Sequence, residues 1–294
     1  MTTTAAPAAR LGDAHLSTLH VVRSEWIKLR TLRSTWWCLA LIVALSVLFG
    51  LLIAAFINRD SSALPTAAQD GDLVAVVTVG TSFTQLIAAV LGVLVVSGEY
   101  GTGMIRSTFT AVPRRLPAVL AKLVVLAVAM FVTGLVAVAL TFAATVAILA
   151  GHGISAHLGD VAVWMPIVGS AVYLALVAAL AFGIGALVRN TAGGISITIG
   201  LLLVLPILLS VAIALTQATW LSNVNAVLPS AAGAQLHAFA APAGTAAVSG
   251  PGGRGPAQAA ADVVLNGWGG LGVLVAWILV ALIPALVLVR RRDA

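Results

Sequence analysis

Six stretches of this chain run for 22 residues or more without an Asp, Glu, Lys or Arg: 36–57, 73–97, 123–150, 161–188, 191–217 and 268–289. At about 1.5 Å of rise per residue, about 22 residues make about 33 Å of helix, which matches the hydrocarbon thickness of a bilayer. In hydrocarbon each segment must satisfy its own backbone hydrogen bonds, so such runs are predicted to be transmembrane α-helices. Composition removes the soluble alternative. The chain is 61% hydrophobic and 8% charged, where a soluble domain carries about 25% charged residues. The expected fold is therefore an all-α polytopic membrane protein of six spans. The third, fourth and fifth stretches exceed the minimum length and are expected either to tilt or to continue past the headgroups. Pro166, Pro206 and Pro284 fall in or near spans, where kinks are tolerated.

The loops between spans decide orientation. Taken alternately, one side holds Arg10, Arg23, Lys28, Arg30, Arg33, Arg106, Arg114, Arg115, Lys122, Arg189, Arg290, Arg291 and Arg292, and the other only Arg59 and Arg254. Asp60, Asp70, Asp72, Asp160 and Asp262 fall on the arginine-poor side. By the positive-inside rule both termini are expected in the cytoplasm, with the chain in the cell membrane. The formal charge of +6 is then a topology signal, and nucleic acid is not an expected partner. The first 20 residues contain no apolar core of signal-peptide length, so the first span is expected to serve as the targeting signal. One cysteine, Cys38, excludes a disulfide framework and a cysteine-rich metal site.

Residues 1–18 begin Thr/Ala/Pro-rich and are expected to form a disordered tail ahead of a membrane domain over 19–289, with a basic tail at 290–294. From Leu19 the chain turns amphipathic. Leu19, Val22, Trp26 and Leu29 recur at three- and four-residue spacing, with His20, Arg23, Ser24, Lys28 and Thr31 on other faces. This predicts an interfacial helix feeding the first span; a purely electrostatic anchor on the bilayer is the alternative. Glu25 and Lys28, three apart, support that helix.

The segment after the second span is the most structured of the loops. Thr102 can cap a helix, Ile105, Phe109 and Val112 then line one face, and Pro113 ends it. Such a helix either lies on headgroups or presents Met104, Ile105 and Phe109 to a soluble partner. The long segment 218–267 is poor in large apolar side chains over 240–261, whereas 221–239 is apolar enough for a short helix on the opposite membrane surface or dipping into it.

No chemistry of its own is legible. Neither Lys28 nor Lys122 follows the glycine spacing of a phosphate loop, so the chain is not expected to hydrolyse ATP or to be an enzyme. His152 and His157 with Asp160 lack the further ligands of a metal site, and no cofactor is expected. The six runs hold no ionisable group for a coupling ion, which weighs against an ion-driven carrier. Thr78, Thr81, Ser82, Thr84 and Gln85 cluster in the second span. They fit inter-helix hydrogen bonding, and Thr81, Ser82, Thr84 and Gln85 alternatively fit a wall of a substrate cavity. Gly193, Gly194, Ser196 and Gly200 in the fifth span fit close helix packing.

The run Glu99-Tyr100-Gly101-Thr102-Gly103-Met104-Ile105-Arg106, followed by Pro113-Arg114-Arg115 and Lys122, resembles the cytoplasmic loop of type-2 ABC transporter permeases. The stretch from Glu25 to Ser34 is similar to the segment before the first span in bacterial members. Leu228-Pro229-Ser230 with Gly233, and the ending Arg291-Arg292-Asp293-Ala294, are similar to those of the actinobacterial branch. Gly101 departs from the pattern, since many relatives carry a charged residue there. The resemblance implies a permease subunit that pairs with a second permease copy or paralogue and with cytoplasmic ABC ATPase subunits to move a substrate outward. It implies that the loop helix docks on the ATPase, which makes Glu99, Thr102, Met104, Ile105, Arg106, Phe109, Arg114 and Arg115 the coupling residues. Glu99 and Arg106 would hold that helix against the bundle, and the second and fifth spans would face the other permease. A non-transporting membrane anchor that recruits a soluble protein through the same helix is the reading from another class.

Overall fold

The computed structural model describes residues 18–57, 65–101, 103–104, 115–154, 161–238, 263 and 265–292. The described elements are helices throughout: α1 (Thr18–Thr31), α2 (Arg33–Phe56), α3 (Thr66–Thr78), α4 (Thr81–Gly101), α5 (Arg115–Gly151), α6 (Val161–Val188), α7 (Thr191–Ile199), a π-helical turn (Gly200–Val204), α8 (Leu205–Thr216), α9 (Thr219–Ala226), α10 (Pro229–His237) and α11 (Gly267–Arg292). Six of these units are long and apolar enough to cross a bilayer: α2, α3 with α4, α5, α6, α7 through α8, and α11.

Burial ranks the spans. The most apolar window of α6 is 72% buried, against 22% for α2 and 17% for α7 through α8. The fourth span is thus the axis of the bundle, and the first and fifth lie at its rim. Around α6 the core closes through Ile42 of α2, Leu91 of α4, Leu126 and Met130 of α5, Leu174 and Phe182 of α6, and Leu282 of α11, all buried. The fifth span carries the π-helical turn just ahead of Pro206 because proline has no N–H to continue the ladder; the Leu205 N–H reaches back to the Gly200 oxygen instead.

Two sequence expectations change here. Asp70 and Asp72 do not lie on a loop. They are on α3, 5% and 6% exposed, within a second spanning unit that starts at Thr66. That unit therefore carries carboxylates, and the shorter charge-free run is only its middle and far part. The unit is interrupted at Val79 and Gly80, between α3 and α4. The second change concerns α1, which buries Val21, Glu25 and Leu29 while Leu19 (77%) and Trp26 (39%) are exposed. The apolar period is half right, since Leu29 and Val22 pack inward but Leu19 and Trp26 do not; the buried face is turned toward Glu25, whose charge has a partner on α5, and toward Val21, which packs against Ala118 and Ala121.

Of the long segment after the fifth span, the apolar part folds as α9 and α10, and α10 does not rest on the surface. It wedges between α6 and α11 at the end of the bundle away from α1. Two glycines make room: a Cβ on Gly169 would stand 1.8 Å from the Leu236 carbonyl oxygen, and one on Gly270 would stand 2.2 Å from that of Ala232. The Trp277 indole N–H donates to the Val227 oxygen at 3.0 Å and ties α11 to the turn between α9 and α10. Gly169→Ala and Gly270→Ala are each expected to destabilise the purified chain by about 1–3 kcal/mol, the usual cost of overpacking. Thermal unfolding in detergent measures this. Gly272→Ala is the control, since nothing lies within 4 Å of its would-be Cβ.

Candidate functional site

The chain contains two glutamates and two lysines in all, Glu25, Glu99, Lys28 and Lys122. The fold brings all four together. Glu25 and Lys28 come from one turn of α1, Glu99 from the last turns of α4, and Lys122 from the third turn of α5. Lys122 Nζ lies 2.5 Å from Glu99 Oε1 and 3.0 Å from Glu25 Oε2, while Lys28 Nζ lies 2.7 Å from Glu25 Oε1 and 3.3 Å from Glu99 Oε1. Each ammonium therefore bridges both carboxylates, and the arrangement is a closed square of alternating sign with no net charge.

The residue types suit the geometry. An ammonium is a compact donor with three N–H groups that can serve two carboxylates in different directions, whereas a guanidinium fork matches one carboxylate bidentately. In a chain whose other cations are arginines, the two lysines sit where one cation must hold two anions. Glu25, Glu99 and Lys122 are at most 9% exposed in their side chains, and Lys28 is the open corner at 35%. At such burial removing one partner is far costlier than the pair is stabilising, because the survivor is left charged and dry. Burial by itself would lower the pKa of Lys28, but its hydrogen bond to Glu25 and the charges of Glu25 and Glu99 raise it overall. With a raised folded-state value, the stability from Lys28 is fully present below its ordinary 10.5 and is lost as pH rises through the raised value.

Next to Glu99, Tyr100 points to a different part of the bundle. The Arg189 guanidinium lies 5.2 Å from the centre of the Tyr100 ring, within cation–π range. Arg189 forms the two-residue turn between α6 and α7 with a left-handed backbone, φ 56°, and Asn190 then caps α7 by accepting from the Gly193 N–H at 2.9 Å. One turn back on α4, the Ser97 and Thr191 hydroxyls lie 3.0 Å apart. Adjacent residues thus fork: Glu99 grips α1 and α5, and Tyr100 faces the hinge between the fourth and fifth spans. Both lie at the root of the loop that follows α4.

Of the sequence-predicted coupling residues, Glu99 is one corner of the square and Met104 is 46% exposed. Thr102, Ile105, Arg106, Phe109 and Arg114, with the Arg115 side chain, lie outside the described residues. Of the polar set on the second span, Thr81, Thr84 and Gln85 are buried and Ser82 is exposed, so the four do not share one face. Gln85 accepts from the Tyr173 hydroxyl of α6, and its amide donates to the Ser82 carbonyl at 2.8 Å. Pairing α4 to α6 is what hydrogen bonding between helices requires of Gln85. Thr84 Oγ1 is buried with no hydrogen-bond partner among the described residues.

Sequence reading did not join Glu25, Lys28 and Lys122 to Glu99. The available signal was compositional: two lysines among fifteen cations and two glutamates among nine acids, each beside a span end. A family model described as ABC-2 family transporter protein matches residues 19–294, which takes in every element of the square and all six spans. No curated protein gives a match to the chain.

Proposed function

The chain belongs to the ABC-2 transporter family, and from that premise we propose that it is the translocating subunit of an exporter driven by separate ATPase chains. It is a multi-pass membrane permease of an ABC transporter, and ABC-2 membrane proteins generally work with ATPase subunits. The proposal adds the direction of transport, the coupling element and its mechanism. The ATPase docks on the loop segment 102–112 through Ile105 and Phe109, with Met104, Arg106, Arg114 and Arg115 around them, on the cytoplasmic side of the cell membrane.

The observation that carries this reading is the buried charge square at the root of that loop. A loop that served only as a connector would need no buried charges beneath it. A loop that receives force must be fastened to what it moves, and here Glu99 fastens it to α1 and α5 while Tyr100 faces the turn between α6 and α7. Displacement of the loop is thereby shared by the first, third, fourth and fifth spans. A second permease copy or paralogue completes the path against the rim of the bundle.

The test is co-purification of the chain with an ATPase subunit, followed by reconstitution and measurement of ATP hydrolysis and outward transport together. A non-transporting anchor would retain the ATPase but move nothing and leave hydrolysis unresponsive to candidate cargo. Topology is tested separately with Gly250→Cys and Arg115→Cys, each in a Cys38→Ser background. On intact cells an impermeant thiol reagent is expected to label position 250 and spare position 115. The reverse pattern would invert the orientation.

A further inference from the structure

The face of α1 opposite the charge square is built from a different chemistry. Arg23, Trp26, Ile27 and Arg30 fall at helical spacing on that face and are exposed, and Arg33 and Trp36 continue the surface onto the start of α2. The Trp36 indole N–H donates to the Arg30 carbonyl at 2.8 Å, so the two helices present one surface across the break at Leu32. None of the three guanidiniums has a partner among the described residues. The one acid of α1, Glu25, is turned inward. Among the described residues, the outward surface therefore carries three positive charges without a partner, two indoles and an aliphatic side chain, with no negative charge.

We infer that this surface binds the anionic phospholipid headgroups of the leaflet at its end of the bundle. Three features select lipid as the occupant. The surface is continuous with α2, an apolar span whose window is only 22% buried, so the bilayer reaches it. Tryptophans at the start of a span sit at headgroup level, because indole is apolar in its body and polar at its N–H. Arginines between them hold phosphate through paired N–H groups while their stems lie along acyl chains. Charge complementarity then favours anionic over zwitterionic lipid, with the attraction falling off within a Debye length. The bound lipid presses α1 against α5 from outside while the square holds it from inside.

The experiment uses the full chain in nanodiscs of phosphatidylcholine in which one fifth of the lipid is brominated, as either phosphatidylglycerol or phosphatidylcholine. Bromine quenches nearby indoles. Brominated phosphatidylglycerol is expected to quench tryptophan fluorescence more strongly than brominated phosphatidylcholine. This excess should be lost in the triple variant Arg23→Gln, Arg30→Gln, Arg33→Gln and should shrink in the parent at high salt. In the double variant Trp26→Phe, Trp36→Phe, which keeps all three arginines, the excess should also fall, because two of the indoles at this level are gone and Trp37 alone remains there. Equal quenching by the two lipids in the parent overturns the inference, as does an excess that survives the triple variant. Loss of ATPase capture by the triple variant in lipid-free detergent, with the lipid excess unchanged, would assign the surface to the protein partner instead.

Discussion

Lys122→Met is expected to destabilise the chain by about 3–5 kcal/mol, the cost of breaking a buried charge cluster by removing one member. In the parent, two carboxylates share two ammoniums. In the variant, Glu25 and Glu99 remain, both almost wholly buried, with only the half-open Lys28 between them. Thermal unfolding in detergent reads the loss, and a second substitution identifies its cause. Lys122→Met with Glu25→Gln restores neutrality, since Lys28 then faces Glu99 alone, so most of the stability should return. Coupling should not return with it, because the link from Glu99 to α5 is still missing. Lys122→Arg should keep the charge yet fit poorly, since its planar fork cannot address two carboxylates as an ammonium does. A Lys122→Met chain as stable as the parent would mean that the square contributes nothing, and the fastening argument would fall with it.

The double variant Ile105→Asp, Phe109→Asp is expected to lose the ATPase altogether while remaining in the membrane, since both positions lie outside the six charge-free runs of the sequence. Burying two such side chains against a partner contributes about 2–5 kcal/mol before ordering costs, and every 1.4 kcal/mol is about tenfold in affinity. Two carboxylates in that contact would remove the gain and add a desolvation penalty. Pull-down of the ATPase and transport by the same variant measure the two consequences. Glu99→Gln should behave differently, keeping the ATPase bound but weakening transport, because it cuts the tie beneath the loop and leaves the docking face whole. If the double Asp variant captures the ATPase and transports normally, the loop is a solvated connector.

The sequence by itself determined the class of fold and the material of the spans. Charge-free runs of 22 residues or more admit no other structure in hydrocarbon, because a helix alone satisfies every backbone group within one segment. The start and end of α6 at Val161 and Val188 coincide with the run read from the sequence. The loop residues from Glu99 onward also stood out, since an apolar period between a cap and a proline is a local signal. Tertiary structure decided everything that depends on what a charge meets. Nothing local tells α1 to bury Glu25 and expose Trp26; that follows only once Lys122, almost a hundred residues away, is delivered beside it by the third span. Asp70 and Asp72 read as loop residues because hydropathy scores each residue as if it faced lipid, whereas α3 turns them into the protein. Likewise a short helix within 221–239 is legible in the sequence but the seat of α10 between α6 and α11 is not, because it exists only where Gly169 and Gly270 let its backbone approach. Hydrophobic length is a property of one segment, so it can be read along the chain. Charge pairing and close backbone contact are properties of two, and they exist only after the helices have met.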